Sequence, residues 1–268
     1  MEKFQSKKHG SLISRLPFSY LSLPVYLDFC AYTFERHGEN LVVCQDSYYS
    51  HEFPSLFMPQ NPLNWERASL SMVSEQDVAS IEAAGIEIAI RTSTETEFFY
   101  DTAAFLASTS SVTQRAKQFE RLYDYEIVHQ YSKEALTAFY DLWEKQKDRE
   151  QNDLYEKESH DLFFFCLEHL EAYDIKQVYV IVGGKLAGFA WGVQHPNGGW
   201  VGLHLKVDYS YKGLSRFLHL ERAKLFQDEK RFSLGTGCKE PGLIQFKREL
   251  DPTEERPYFY VFTKGKKG

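Results

Sequence analysis

The sequence predicts an α/β (α+β) protein made of two mixed units, and three observations carry that expectation. Segments with apolar residues at helical spacing, such as Leu136, Phe139, Tyr140 and Trp143, alternate with segments of period two, such as Ile86–Ile90 and Trp200–Asp208. Short glycine and proline turns separate many of them. A chain of 268 residues has room for one large domain or two of ordinary size. With 43% hydrophobic and 16% aromatic residues it supports a packed core and argues against disorder.

The elements follow in order. Tyr26 to Arg36 is apolar enough for a helix entered after Pro24. Leu41–Gln45 and Leu56–Pro59 read as short strands, with Pro54, Pro59 and Pro62 punctuating the loops. Ser74, with Asp77 three residues on, starts a helix through Ala84 that Gly85 ends. Ile86–Ile90 alternates as a strand. Phe98-Phe99-Tyr100-Asp101, a Ser/Thr-rich stretch (Ser108–Thr113) and a basic helix (Gln114–Leu122) come next. A new helix–helix–strand–strand–strand series begins after them, which predicts domains 1–124 and 125–268. In that series Ser132 caps a helix to about Lys147. A polar segment, Asp148–His160, links it to a helix over Asp161–Tyr173. Gln177–Val182 and Leu186–Gln194 form a hairpin about Gly183-Gly184. Pro196-Asn197-Gly198-Gly199 turns into Trp200–Asp208, followed by an amphipathic helix, the strand Ser233–Cys238, a helix start at Gly242 and a terminal strand, Pro257–Thr263.

Bulk properties narrow the function classes. A net charge of −7 and a pI of about 5.8 argue against a protein living on nucleic acid alone, and hence against tRNA as partner. The basic groups Arg115, Lys117, Arg121 and Lys264, Lys266, Lys267 read as solvated surface. No run approaches the roughly 20 apolar residues of a membrane span, and residues 1–15 carry no apolar leader core. Cys30, Cys44, Cys166 and Cys238 are widely spaced without a C-x-x-C pair. A reduced, cytoplasmic protein with no metal site is the expectation.

The chemistry concentrates between Trp200 and Pro252. Strict alternation puts Trp200, Gly202, His204, Lys206 and Asp208 on one strand face and Val201, Leu203, Leu205 and Val207 on the other. His204 suits a proton shuttle, and Lys206 a partner for a phosphate or carboxylate; an ordinary half-exposed polar face is the alternative. The turn Tyr211-Lys212-Gly213-Leu214-Ser215, running into a helix with Arg216 in its first turn, offers free amides and a dipole suited to a phosphate or pyrophosphate. Ser210-x-x-Gly213-x-Ser215 is a loose fit to the R/Q-x-x-G-x-G/A turn of acetyl-CoA-binding acyltransferases, with serine at both ends. It contains neither G-x-G-x-x-G nor a G-K-[ST] loop. Lys247 suits stabilisation of charge developing on a transferred carbonyl, or is a surface cation. Tyr258, which shares a face with Tyr260, suits a general acid or core filling. Cys238 has no evident histidine partner for a nucleophilic role.

Taken together, the order of several motifs resembles a known family. Phe98-Phe99-Tyr100-Asp101, Arg115, Tyr125-Glu126-Ile127, Gly183-Gly184-Lys185-Leu186-Ala187-Gly188-Phe189, His204-Leu205-Lys206, Tyr211-Lys212-Gly213-Leu214, Gly242-Leu243, Phe246-Lys247 and Pro252 look like the C-terminal domain of phosphatidylglycerol lysyltransferases. The resemblance covers roughly Phe98 to Val261. It implies two tandem GNAT-type folds related to Fem-type aminoacyl transferases, each a mixed, mostly antiparallel sheet flanked by helices. It further implies a donor groove beside Gly213, lined by Tyr211, Lys212, Leu214, Ser215 and Arg216. A coenzyme A thioester would be the donor and a small-molecule or peptide amine the acceptor. Aminoacyl-tRNA as donor, or a non-catalytic binding scaffold, are the alternatives. Where relatives carry an Asn-Arg-Glu-x-Asp-like run, this chain has Leu234-Gly235-Thr236-Gly237-Cys238-Lys239, without the acidic residues a lysyl site would use.

Overall fold

A computed structural model describes residues 2–14, 16–30, 33–37, 40–44, 55–57, 68–109, 111–146 and 154–266. By packing, the chain divides into two compact units. Unit 1 is Met1–Phe98 with Thr236–Ile244 and Glu254–Gly268; unit 2 is Phe99–Gly235 with Gln245–Thr253. The division therefore falls inside a strand, not at 124/125. Residues 99–124 pack with the second unit because the helix there buries its apolar stripe on that unit's core, with the Phe119 and Phe217 rings 4.9 Å apart.

Unit 1 opens with β1 (Glu2–Lys3), α1 (Gly10–Ile13), a 3-10 turn (Tyr20–Ser22) and α2 (Pro24–Phe29). Pro24 stands at the start of α2, where its missing N–H costs nothing. The helix expected over Tyr26–Arg36 stops at Phe29, and Thr33–His37 is strand β2. Antiparallel partners on both sides, β1 and β3 (Asn40–Cys44), give its backbone groups a ladder that local apolarity does not reveal. After β4 (Ser55–Phe57) and β5 (Ala68–Ser74), α3 (Glu75–Ala83) leads to β6 (Ile86–Asp101). Gln45, Pro54, Met58, Pro59 and Pro62 lie outside the described residues.

The start of α3 is a reciprocal capping box. Asp77 N donates to Ser74 Oγ at 3.2 Å, and Ser74 N donates to Asp77 Oδ2 at 3.0 Å. Gly85 closes the helix at φ +74°, a left-handed conformation that an L side chain resists. Val78 and Ile81 face Leu70, Val73, Ile86 and Val261 in this unit's core.

Unit 2 continues with α4 (Thr102–Ala107), α5 (Ser111–Leu122), β7 (Tyr125–Val128), α6 (Lys133–Lys145) and α7 (Leu154–Glu168). Next come β8 (Lys176–Val182), β9 (Lys185–Gln194), β10 (Trp200–Val207), α8 (Leu214–Lys224), β11 (Arg231–Thr236), α9 (Pro241–Arg248) and β12 (Glu254–Lys266). The last strand, β12, belongs to unit 1, where it pairs antiparallel with β5. Ser132 caps α6 through Ala135 N at 3.1 Å, as expected. The linker predicted over Asp148–His160 is helical from Leu154 onward.

The sheet of unit 2 runs β11-β10-β9-β8-β7. Its pairs are antiparallel except β10–β11, which is parallel. One face carries α5 and α8, joined through Ala116, Phe119, Val180, Ala190, Phe217 and Leu218. The other carries α6 and α7: Tyr140 stacks on Phe163 at 4.0 Å, and Phe163 on Trp191 at 5.1 Å. Complete burial of such rings contributes about 1.5–3 kcal/mol each and locks both layers to the sheet.

Candidate functional site

The β10 strand does not alternate strictly. Gly202 pairs with Gly192 and Leu205 with Ala190, so Leu203 and His204 together oppose Trp191. That is a β-bulge, and one extra residue exchanges the faces of everything beyond it. Before the bulge, Gly202 faces α8: a Cβ there would lie 2.7 Å from the Arg222 guanidinium carbon. After it, His204 and Lys206 face the opposite layer. His204 meets Phe163 and Trp191 edge-on, at 5.7 and 5.8 Å, and the Lys206 ammonium lies 3.9 Å from the Trp143 ring centroid. The single polar face expected for Trp200, Gly202, His204 and Lys206 is therefore split in two.

His204 is 4% exposed, and its Nε2 has no hydrogen-bond partner among the described residues. Burial first, then the positive charges of Lys206 and Arg222, hold its pKa well below the usual histidine value. The ring is thus neutral at pH 7, the form that accepts a proton.

Beside β10, the parallel pairing with β11 is short. Only Trp200↔Phe232 and Val201↔Ser233 are in register, although β10 continues to Val207 and β11 to Thr236. Two parallel strands that pair at one end and part at the other leave backbone groups facing an opening, where a ligand can take the place of a strand neighbour. Lys247 of α9 reaches this place. It is 6% exposed, and its Nζ donates to Leu234 O at 2.6 Å, one residue past the last paired position. Lys247 is thus no surface cation. Tyr100 supports the helix by donating its hydroxyl to Lys247 O at 2.9 Å.

The start of α8 is built on Gly213. It is the N-cap residue, left-handed at φ +85°, with no side-chain cap. A Cβ on it would sit 2.1 Å from Arg115 O, so α5 passes too close for any other residue. Of the predicted donor residues, Leu214 is fully buried, and Tyr211 packs edge-on against Tyr123 at 5.2 Å. The Lys212 side chain is exposed and Ser215 half-buried. The first-turn amides of Ser215 and Arg216 have no intrahelical acceptor by position. The Arg216 side chain turns away from solvent: it is 4% exposed, donates to Glu249 Oε2 at 2.6 Å, and lies 3.7 Å above the Phe246 ring.

Tyr258 belongs to unit 1. Its hydroxyl donates to Glu97 Oε2 at 2.7 Å, beside Ser19 Oγ, which donates to the same oxygen at 2.6 Å. Burial and the Glu97 charge raise its pKa well above that of a free phenol, so the proton stays on oxygen. Its local work is to hold the Ser19 segment to β6 and β12.

Two residues of this region escaped the sequence reading. His219 and Arg222 follow Arg216 at three-residue intervals on α8, and both are buried. That spacing was the available signal, since three basic groups on one stripe of a helix that also carries core residues is not a solvated face. Among the described residues, no group of three His, Cys, Asp or Glu side chains is placed to hold a metal, and no helix is long and apolar enough to cross a membrane.

Comparisons with known proteins place this geometry. Residues 108–239 match the family described as "Acetyltransferase (GNAT) domain". The fold is similar to a conserved protein of unknown function from Bacteroides thetaiotaomicron VPI-5482, with a TM-score of 0.76 and 15% identity over 97% of this chain and 98% of that one. It is also similar to the C-terminal domain of a putative lysylphosphatidylglycerol synthetase from Agrobacterium fabrum, with a TM-score of 0.61 and 16% identity over 89% and 86%. A tandem GNAT protein from the clavulanic acid biosynthesis pathway shares the fold at a TM-score of 0.52 and 10% identity over 100% and 99%. A search of curated proteins finds no match. The parted parallel strands and the helix entered through a glycine thus lie in the segment, residues 108–239, that matches the acetyltransferase (GNAT) domain, within a chain that carries the tandem GNAT fold.

Proposed function

We propose that unit 2 is an N-acyltransferase that moves an acyl group from a phosphorylated carrier, a coenzyme A thioester in preference, to an amine. The observation that carries this reading is the early end of the β10–β11 pairing, with the Lys247 ammonium standing at the opening. The carrier's phosphates dock on the first-turn amides of α8 and on Lys212, where partial positive charge and an exposed ammonium meet. The acyl carbonyl enters between the strands.

The chemistry needs little beyond placement. The amine nitrogen attacks the carbonyl carbon, the C–N bond forms, and the carbonyl electrons move onto oxygen. Lys247 stabilises that oxyanion inside a site with little water. Collapse breaks the carbon–sulfur bond, and the thiolate leaves with the electron pair. The nitrogen loses one proton to solvent water at the opening, since the buried His204 imidazole resists protonation. Isothermal titration with acetyl-CoA and longer acyl-CoAs tests the donor; a 1:1 exothermic signal is expected, and no heat with any of them would remove the coenzyme A reading.

A second reading, with aminoacyl-tRNA as donor, is favoured by one observation. Arg115, Lys117 and Arg121 are all exposed on α5, the helix that packs against Gly213. It predicts tRNA binding that weakens steeply with salt, and a gel-shift titration at low salt showing no complex would end it.

A further inference from the structure

The stripe Arg216, His219, Arg222 on α8 holds more positive charge than the fold around it balances. The three are 4%, 7% and 2% exposed, and burial first, then the charges of Arg222, Arg216 and Lys247, hold the His219 pKa well below the usual histidine value. One partner carboxylate is seen on the stripe, Glu249, which takes a hydrogen bond from Arg216 Nη2 at 2.6 Å and also faces Arg115 at 3.9 Å. Arg222 has neutral partners: Nη1 donates to Trp191 O at 3.1 Å and Nη2 to His219 Nδ1 at 3.0 Å. Among the described residues, three buried donor atoms have no hydrogen-bond partner: Arg216 Nε, Arg216 Nη1 and Arg222 Nε. Burying a guanidinium without an anion costs several kcal/mol, and each unmade hydrogen bond adds to that cost. Burial pushes the Arg222 pKa down to about 9, still above neutrality, so the charge is present at pH 7. Buried charges of one sign with idle donors are characteristic of a site whose counter-ion arrives from outside.

We propose that this stripe binds the oxyanion of a small ligand, a carboxylate or a phosphate, and that Glu249 is the internal carboxylate it displaces. Glu249 is suited to that part because its side chain is 34% exposed while the arginine it holds is 4% exposed. Rotating it into solvent frees Arg216 at small cost, since an exposed carboxylate regains its hydration. Phe246 and Trp200 flank the stripe, at 3.7 Å from Arg216 and 5.5 Å from Arg222, and fix the two planar guanidinium groups as rigid donors. The inference deepens the donor reading, on which it rests for the kind of ligand: the transferred group or its carrier brings an anion into unit 2 beyond the one held at the helix start.

The test is a thermal-shift titration of the whole chain with sodium succinate and, separately, sodium pyrophosphate, against sodium chloride of matched ionic strength. A saturable rise with one of the two beyond the chloride control is expected, and which one responds identifies the carboxylate or the phosphate. Glu249→Gln should tighten the half-saturation by about tenfold, because it removes a tethered competitor. Arg216→Lys keeps the charge but loses the fork and should weaken it. No saturable rise with either anion, in wild type or Glu249→Gln, overturns the proposal, as does a Glu249→Gln variant that binds more weakly while folded. Coenzyme A binding without any response to the two anions keeps the donor reading and rejects this site. An anion response without coenzyme A binding does the reverse.

Discussion

Replacing Gly213 by alanine isolates what the start of α8 demands. Two costs add. Holding an L residue in the left-handed region at φ +85° costs roughly 1–2 kcal/mol. The new Cβ also meets backbone atoms, Arg115 O at 2.1 Å and Phe119 N at 3.2 Å, and forcing two packed helices apart costs roughly 1–3 kcal/mol. The sum is about 2–5 kcal/mol. Gly198 provides the control: it has φ +77° in the same unit, and nothing lies within 4 Å of its Cβ position. Gly198→Ala should therefore show the conformational cost alone. Urea unfolding of both variants measures the difference, with Gly213→Ala expected to be less stable than Gly198→Ala by at least about 1 kcal/mol. Equal stabilities would refute the close approach of α5, and with it the explanation of why glycine stands there.

Other consequences follow from the same geometry. Lys247→Met should lower the transfer rate about 100-fold or more with little change in KM, since its ammonium acts on charge present only in the transition state; steady-state kinetics with circular dichroism as a folding control checks this. Tyr258→Phe removes a donor to Glu97 Oε2 and should cost about 1–2 kcal/mol in denaturant unfolding, without a selective loss of acyl-CoA affinity. Acid should destabilise unit 2 early. His204 and His219 have pKa values held well below the usual histidine value, and His195 is pushed down to about 4, all by burial first. Below pH 6.5 the unfolded chain binds protons that the folded one refuses, so stability is full above that value and falls as pH drops towards 4. The His195 window alone is worth about 3 kcal/mol by linkage. About 2 kcal/mol of that is lost between pH 7.5 and 5, so urea midpoints at these two values should differ, and equal midpoints would contradict the neutral buried state.

Local rules made much of this fold legible, and the exceptions share a cause. Ser74 with Asp77, Gly85, the Gly183-Gly184 hairpin and the Ser132 cap are short-range chemistry that depends on residues a few positions apart. The strand Thr33–His37 depends on partners before and after it, which an apolar run read alone turns into a helix. The bulge at Leu203–His204 is a matter of cross-strand register, invisible in an alternation that continues through it unbroken in residue type. For the same reason, Gly213 was legible as the glycine before a helix start while the relation of His204 to Gly202 was not. In sequence the helix is simply amphipathic, which does not set His219 and Arg222 apart. Burial on a shared stripe separates them from the solvated lysines and arginines elsewhere, and burial is decided by what packs above, not by spacing.

The central claim is that a phosphorylated acyl carrier docks on the first turn of α8. Isothermal titration of acetyl-CoA into the wild type and into Ser215→Glu measures it directly, because the substitution sets a carboxylate among the amides meant for phosphate. The account predicts 1:1 binding to the wild type and at least about tenfold weaker binding to a Ser215→Glu variant that melts near the wild-type temperature. Equal affinity for both proteins would contradict it.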